Sequence, residues 1–174
     1  MGNPLDLKTF IRDVPDFPKS GITFKDITPL LSSSNAFRQS IRQMTDPFRK
    51  SKITQVVAIE SRGFIFGSAM ASELRAGFVP IRKPGKLPWT KFRNEYTLEY
   101  GSGTLEIHRD ALSAADRVLV VDDVLATGGT AAATCALVQK FESTIVSLVM
   151  LMELRFLAGR EKLKGLPIYS LIQY

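Results

Sequence analysis

A chain of 174 residues, 45% apolar and 23% charged, has the size of one globular core and too much apolar content for disorder. Its longest apolar run, residues 145–152, is interrupted by Ser147 and falls far short of the ~20 residues that span a bilayer; no basic-then-apolar leader opens the chain, and one cysteine, Cys135, leaves no internal disulfide framework. A single domain over 1–174, a cytoplasmic location and no membrane partner are therefore expected, while 23 basic against 17 acidic residues, or +6, suggest an anionic partner: nucleic acid, a membrane surface or a phosphorylated small molecule.

Residues 3–12 read as a short helix. Pro15 and Pro18 then break the chain, and 14–32 reads mostly as loop. A helix over 34–50 follows, with Ser34 as N-cap and Phe37, Ile41, Met44 and Phe48 on one core-facing stripe; Pro47 disturbs its last turn. Residues 55–60 form an apolar strand, Ser61-Arg62-Gly63 turns it into a helix over 64–75, and Gly77 stops that helix. Residues 78–81 are the next strand, weakened by Pro80. Residues 83–94 are irregular and basic. Residues 95–99 and 104–108 alternate around Gly101-Ser102-Gly103, a hairpin signal. Residues 117–121 are a nearly all-apolar strand, followed by a glycine-containing turn, a helix over 130–141, a buried strand over 144–153 and a short last strand over 168–172.

Strands that alternate with helices and are apolar on both faces predict an α/β fold with a parallel-sheet core flanked by helices. Ligands in such folds sit beyond the carboxyl ends of the strands, which directs attention to the turns at 60–63, 82–94 and 122–130. The most informative is Val118-Leu119-Val120-Val121-Asp122-Asp123-Val124-Leu125-Ala126-Thr127-Gly128-Gly129-Thr130. Backbone N–H groups of Ala126, Thr127, Gly128, Gly129 and Thr130 at a helix N-terminus form an anion site, with two hydroxyls adding donors. The glycines allow close approach of a phosphate. Two carboxylates beside it suit ribose hydroxyls or Mg²⁺ rather than the phosphate. The combination describes a sugar-phosphate site. A Walker loop is excluded, because the only Gly-Lys pair is Gly85-Lys86-Leu87; a dinucleotide loop is excluded, because Gly101-Ser102-Gly103 lies in a hairpin without a third glycine.

This segment resembles the phosphoribosyl pyrophosphate (PRPP) signature of the type I phosphoribosyltransferases. Phe17-Pro18-Lys19-Ser20-Gly21-Ile22-Thr23-Phe24, Glu60-Ser61-Arg62-Gly63-Phe64, Arg82-Lys83-Pro84-Gly85-Lys86-Leu87-Pro88, Tyr96-Thr97-Leu98-Glu99-Tyr100-Gly101 and Gly159-Arg160-Glu161-Lys162-Leu163 are similar to the adenine-using branch of that family. The resemblance implies a type I phosphoribosyltransferase fold with a small N-terminal hood (about 1–34) and a mobile hairpin loop (about 83–104). It implies attack of adenine N9 on C1′ of PRPP, release of pyrophosphate, AMP as product and help from Mg²⁺ carried mainly by PRPP. Asp122 and Asp123 would hold the ribose hydroxyls and stabilise the sugar cation. Residues 126–130 would cradle the 5′-phosphate. Ser61, Arg62, Arg82, Lys83 and Lys86 would meet the diphosphate, with a non-proline cis peptide common at the first of these loops. Glu99 would manage the purine proton, Tyr100 would cover the site, Phe24 would stack on adenine, and the backbone of Thr23 and Lys25 would read its edge. A homodimer is also implied.

Three positions depart from the family pattern: Lys25 stands where Arg is common, Glu60 where Asp is common, and 89–94 match no pattern. Read without the resemblance, Glu60 and Arg62 could be a surface ion pair, Cys135 a small core residue and His108 a structural or exposed side chain. A transferase for another purine base and a regulator that keeps the fold are the competing readings. No helix-turn-helix, zinc spacing or aromatic RNA motif is present, so nucleic acid is not the expected partner; the basic stretch 82–93 is expected to meet a diphosphate instead.

Overall fold

A computed structural model describes residues 4–98 and 101–174, which fall into two units dividing between Gln43 and Met44. In the first, the Asp6 carboxylate caps a short 3-10 turn, Leu7–Phe10, accepting from the Lys8 N–H at 3.0 Å. Strand β1 (Arg12–Val14) pairs antiparallel with β2 (Phe24–Asp26), and α1 (Thr28–Ser32) follows. The short helix expected over 3–12 is only the 3-10 turn, with Arg12 already in β1, and the stretch 14–32 expected as loop holds the end of β1, its partner β2 and a helical turn. Strands of three residues are too short to display an alternation, so only their pairing defines them. The helix expected over 34–50 is α2 (Ser34–Thr45). It ends before Pro47, which has no N–H to continue the ladder, and Asp46–Phe48 runs on as a 3-10 turn. Ile41, Met44 and Phe48 of the predicted stripe are buried.

The second unit is built on a five-stranded sheet. Its elements are β3 (Gln55–Ile59), α3 (Gly63–Leu74), β4 (Gly77–Ile81), β5 (Lys91–Leu98), β6 (Gly101–His108), β7 (Arg117–Leu125), α4 (Gly129–Gln139), β8 (Thr144–Glu153) and β9 (Ile168–Gln173). The order is β4-β3-β7-β8-β9, with every pairing parallel. Side chains alternate across a strand. Val57, Val118, Val120, Leu148 and Met150 share a buried cluster with Ala131, Leu137 and Val138 of α4, while Ala58, on the opposite face of β3, lies against Gly67 of α3. Helices therefore cover both faces, which explains the near-continuous apolar strands. Pro80 is tolerated because β4 is an edge strand.

The hairpin differs from expectation. Its strands are longer, Lys91–Leu98 with Gly101–His108, and Gly101 and Gly103 lie within β6 rather than in the turn. A Cβ on Gly103 would stand 2.6 Å from the Tyr96 ring directly opposite; the glycine gives that ring its space. At the base of the hairpin, Leu105 and Ile107 enter the buried cluster under α4. Part of the basic stretch expected to be irregular is therefore strand.

Candidate active site

A cleft of about 380 Å³ opens at the carboxyl ends of β3 and β7. Of the residues expected there, Ser61, Arg62, Lys83, Asp122, Asp123, Ala126, Thr127, Gly128 and Thr130 line it. Gly129 is the first, buried residue of α4. Arg82 and Lys86 lie outside the lining; Arg82 is instead tied to Glu60, which does line it. Thr23, Phe24 and Lys25 belong to the first unit, where the Phe24 ring meets Phe17 edge-on at 5.3 Å and Lys25 Nζ lies 2.6 Å from Asp13. Glu99 and Tyr100 lie outside the described residues. Tyr96 and Leu105 also line the cleft; Tyr96 stood in a segment similar to the family but was given no role, and only the alternating hairpin pattern marked Leu105.

The acid pair sits inside a strand, not beyond one. Val124 and Leu125 continue β7 by pairing with Met152 and Glu153 of β8. The Asp123 N–H donates to Asp122 Oδ1 at 2.9 Å. Gly63 opens α3 directly over Asp122, and a Cβ there would lie 2.8 Å from Asp122 Oδ1. Desolvation, then the charge of Asp123, pushes the Asp122 carboxyl well above the usual carboxylate range. Asp123 is only 4% exposed and holds Arg62 Nε at 2.5 Å.

Glu60 meets Arg82, and Arg62 meets Asp123. Glu60 accepts from Arg82 Nε and from the Lys83 N–H, both at 3.1 Å. The Arg82 hydrogen bond, helped by that N–H, holds Glu60 below its ordinary range despite burial. Further along, Lys91 and Arg93 converge on Glu106, which is fully buried, at 3.5 and 2.6 Å. Three cations of the basic stretch thus meet acids that lie 13 to 22 residues away or on another strand. The peptide bond between Glu60 and Ser61 is cis.

The segment 126–130 turns at Gly128, which has φ +79° and caps α4. The first turn of a helix leaves N–H groups without intrahelical acceptors, and the helix dipole adds to their pull on an anion. Gly128 has a second reason to lack a side chain: its Cβ would run into the carbonyl of Gly159. The Thr130 hydroxyl donates to the Tyr96 hydroxyl at 3.4 Å, which links the cradle to the hairpin. Cys135, deeper in α4, is buried, and burial pushes its thiol up to about 12; it is a core residue rather than a nucleophile.

Acids between a helix-capping loop and a group of cations, at the carboxyl edge of a parallel sheet, are the arrangement of a sugar-phosphate transferase. The chain belongs to the family described as Phosphoribosyl transferase domain, whose model matches residues 16–165. Within that family its relatives are adenine phosphoribosyltransferases. One from Halothermothrix orenii is 53% identical over 97% of this chain and 99% of its own length. A crystal structure of the enzyme from Thermoanaerobacter pseudethanolicus aligns with a TM-score of 0.94 at 49% identity, covering 97% of this chain and 98% of that one. That from Trypanosoma brucei, in complex with AMP, pyrophosphate and ribose-5-phosphate, aligns with a TM-score of 0.89 at 26% identity, covering 99% and 82%.

Proposed function

We propose that this cleft transfers the 5-phosphoribosyl group from PRPP to N9 of adenine, giving AMP and pyrophosphate in a purine-salvage reaction. One observation carries the reading: the acid pair of β7 stands with the capping loop 126–130 and Arg62 in one cleft. The C1′–oxygen bond to diphosphate breaks as the N9–C1′ bond forms. Positive charge then develops on the ribose and negative charge on the leaving group. Asp122 and Asp123 answer the first, and Ser61, Arg62, Lys83, Arg82 and Lys86 the second. Residues Ala126, Thr127, Gly128, Gly129 and Thr130 hold the 5′-phosphate through N–H and hydroxyl donors.

Mg²⁺ fits this donor set as a passenger of the substrate. Among the described residues no group of three or more His, Cys, Asp or Glu could hold a metal, but a cation beside Asp122 would favour its ionised form. When bound, Mg²⁺ would offset charge on the diphosphate. Adenine recognition falls to the hood, about residues 1–34: Phe24 stacks on the base while the backbone of Thr23 and Lys25 reads its edge. The Lys25 ammonium is already engaged by Asp13, which supports a backbone role. Glu99, which falls between β5 and β6 in the chain, handles the purine proton at adenine N7: with that proton on N7 its carboxylate accepts from N7–H and takes the proton as N9 bonds to C1′, and Tyr100 covers it. The exposed Phe78, whose ring meets Phe64 edge-on at 5.7 Å, supports a second copy of the chain as partner in a homodimer. Among the described residues no helix is long and apolar enough to cross a membrane, which supports a cytoplasmic enzyme.

The test supplies the protein with PRPP, Mg²⁺ and adenine, hypoxanthine or xanthine in separate reactions. AMP formed from adenine, with little product from the other bases, is expected. IMP or XMP as the main product would reassign the base, and no turnover with any base would end the transferase reading.

A further inference from the structure

The segment Gly159–Leu163, a 3-10 turn after β8, lies outside the cleft lining, yet its backbone reaches the loop that caps α4. A Cβ on Gly159 would collide with the Ala126 carbonyl and stand 3.0 Å from the Gly128 nitrogen, while a Cβ on Gly128 would meet the Gly159 carbonyl. Two backbones are therefore in direct contact under the loop 126–128, and both must be glycine at that crossing. The segment is pinned at two points after it. Arg160 grips Glu153 with two hydrogen bonds, Nε at 2.6 Å and a terminal nitrogen at 2.7 Å, and reaches Ser170 on β9 at 3.4 Å. Glu153 is the last residue of β8, only 3% exposed, and pairs in register with Leu125, the residue before the loop. Arg160 holds the Glu153 carboxyl below its ordinary range. At the far end, Leu163 is buried in the cluster that contains Ala131 and Cys135 of α4.

We infer that Gly159, Arg160 and Glu153 are positioning residues for the 5′-phosphate cradle. The bidentate pair fixes where Gly159 lies, and Gly159 fixes the height and tilt of the 126–128 backbone whose N–H groups face the phosphate. A planar guanidinium held on two oxygens transmits orientation as well as charge, and a cradle made of backbone has no rotamers with which to recover from a shift. The inference rests on the assignment of 126–130 to the 5′-phosphate.

The experiment compares Gly159→Ala and Arg160→Lys with the parent, and uses Thr127→Ala to mark the cradle itself. Binding of ribose 5-phosphate and of pyrophosphate is measured separately by calorimetry, alongside KM for PRPP, kcat and thermal unfolding. Gly159→Ala is expected to raise KM for PRPP and weaken ribose 5-phosphate by about 10-fold, the scale of one impaired hydrogen bond to a charged group, with pyrophosphate affinity unchanged. Arg160→Lys, which keeps the charge but not the two-point grip, should give a smaller loss in the same ligand and carries the test alone if Gly159→Ala does not fold. Equal losses of both ligands, or no loss of ribose 5-phosphate in a folded variant whose Thr127→Ala counterpart loses it, would overturn the positioning role. If Thr127→Ala also leaves ribose 5-phosphate unaffected, the cradle assignment falls, and the inference with it.

Discussion

The loop 126–130 and the turns at 60–62 and 82–83 flank the same acid pair, yet they are made differently. The loop offers backbone donors held by a left-handed glycine and braced by Gly159, so its geometry exists before a ligand arrives. Two of the side-chain cations at the turns are already held by carboxylates, Arg62 by Asp123 and Arg82 by Glu60, while Lys83 lines the cleft beside them. A buried Asp123 with no partner would be costly, so its pairing with Arg62 stabilises the cleft. Under the proposed function, a diphosphate entering at this end exchanges partners rather than filling a free cationic site. One end is then preorganised and the other is neutralised in advance, and the two should respond to mutation with different signs.

The largest effect is expected where the backbone itself is disturbed. Gly128→Val puts a branched side chain at φ +79° and against the Gly159 carbonyl, and kcat/KM for PRPP should fall by about 10²–10³-fold; steady-state kinetics with adenine would show it, and a variant of near-parental activity would mean that the cradle is not rigid. Asp122→Asn should lower turnover by about 100-fold while making the fold more stable. The folded protein favours the protonated Asp122, so stability fully present below the ordinary carboxylate pKa is lost as pH rises from there through the raised pKa, and the loss is constant above it. Unfolding midpoints measured across pH should therefore show the Asn variant ahead at neutral pH and level with the parent below the ordinary carboxylate range.

Asp123→Asn separates the two flanks directly. The charge that holds Arg62 on Asp123 is removed, so pyrophosphate alone should bind about 3- to 10-fold more tightly, while ribose 5-phosphate binds more weakly; titration calorimetry with each ligand reads both signs, and a loss of pyrophosphate affinity would contradict the exchange. Glu60→Gln is the smallest change. It should tighten pyrophosphate about 2-fold and cost at most ~1 kcal/mol of stability at neutral pH, because Arg82 is partly exposed and its pair is screened. Glu60 is held below its ordinary range, so its contribution is present above that range and fades as pH falls through the lowered pKa. The gap between variant and parent should close in acid.

The sheet and the cradle were legible in the sequence because both are local. Four apolar residues, two acids and Thr-Gly-Gly-Thr stand in one stretch of chain, and the physics of a strand running into a helix N-terminus needs nothing from elsewhere. The fate of the charges was not legible. Five cations between residues 82 and 93 read as one basic group, yet Arg82 goes to Glu60 and both Lys91 and Arg93 go to Glu106. The paired strands β1 and β2 were missed because three residues display no period.

By itself, the sequence determined the alternation of strands and helices, the place of the acid pair beside a phosphate-sized loop, and the family pattern that spans the chain. Only the tertiary structure decided which carboxylate faces which cation and what stands under the loop. Arg62 and Asp123 are 61 residues apart in the chain and meet because β3 and β7 are neighbours in the sheet. Gly128 and Gly159 meet because the chain after β8 returns beneath α4. Contacts of that kind depend on strand order and register, and no local pattern of residues encodes them.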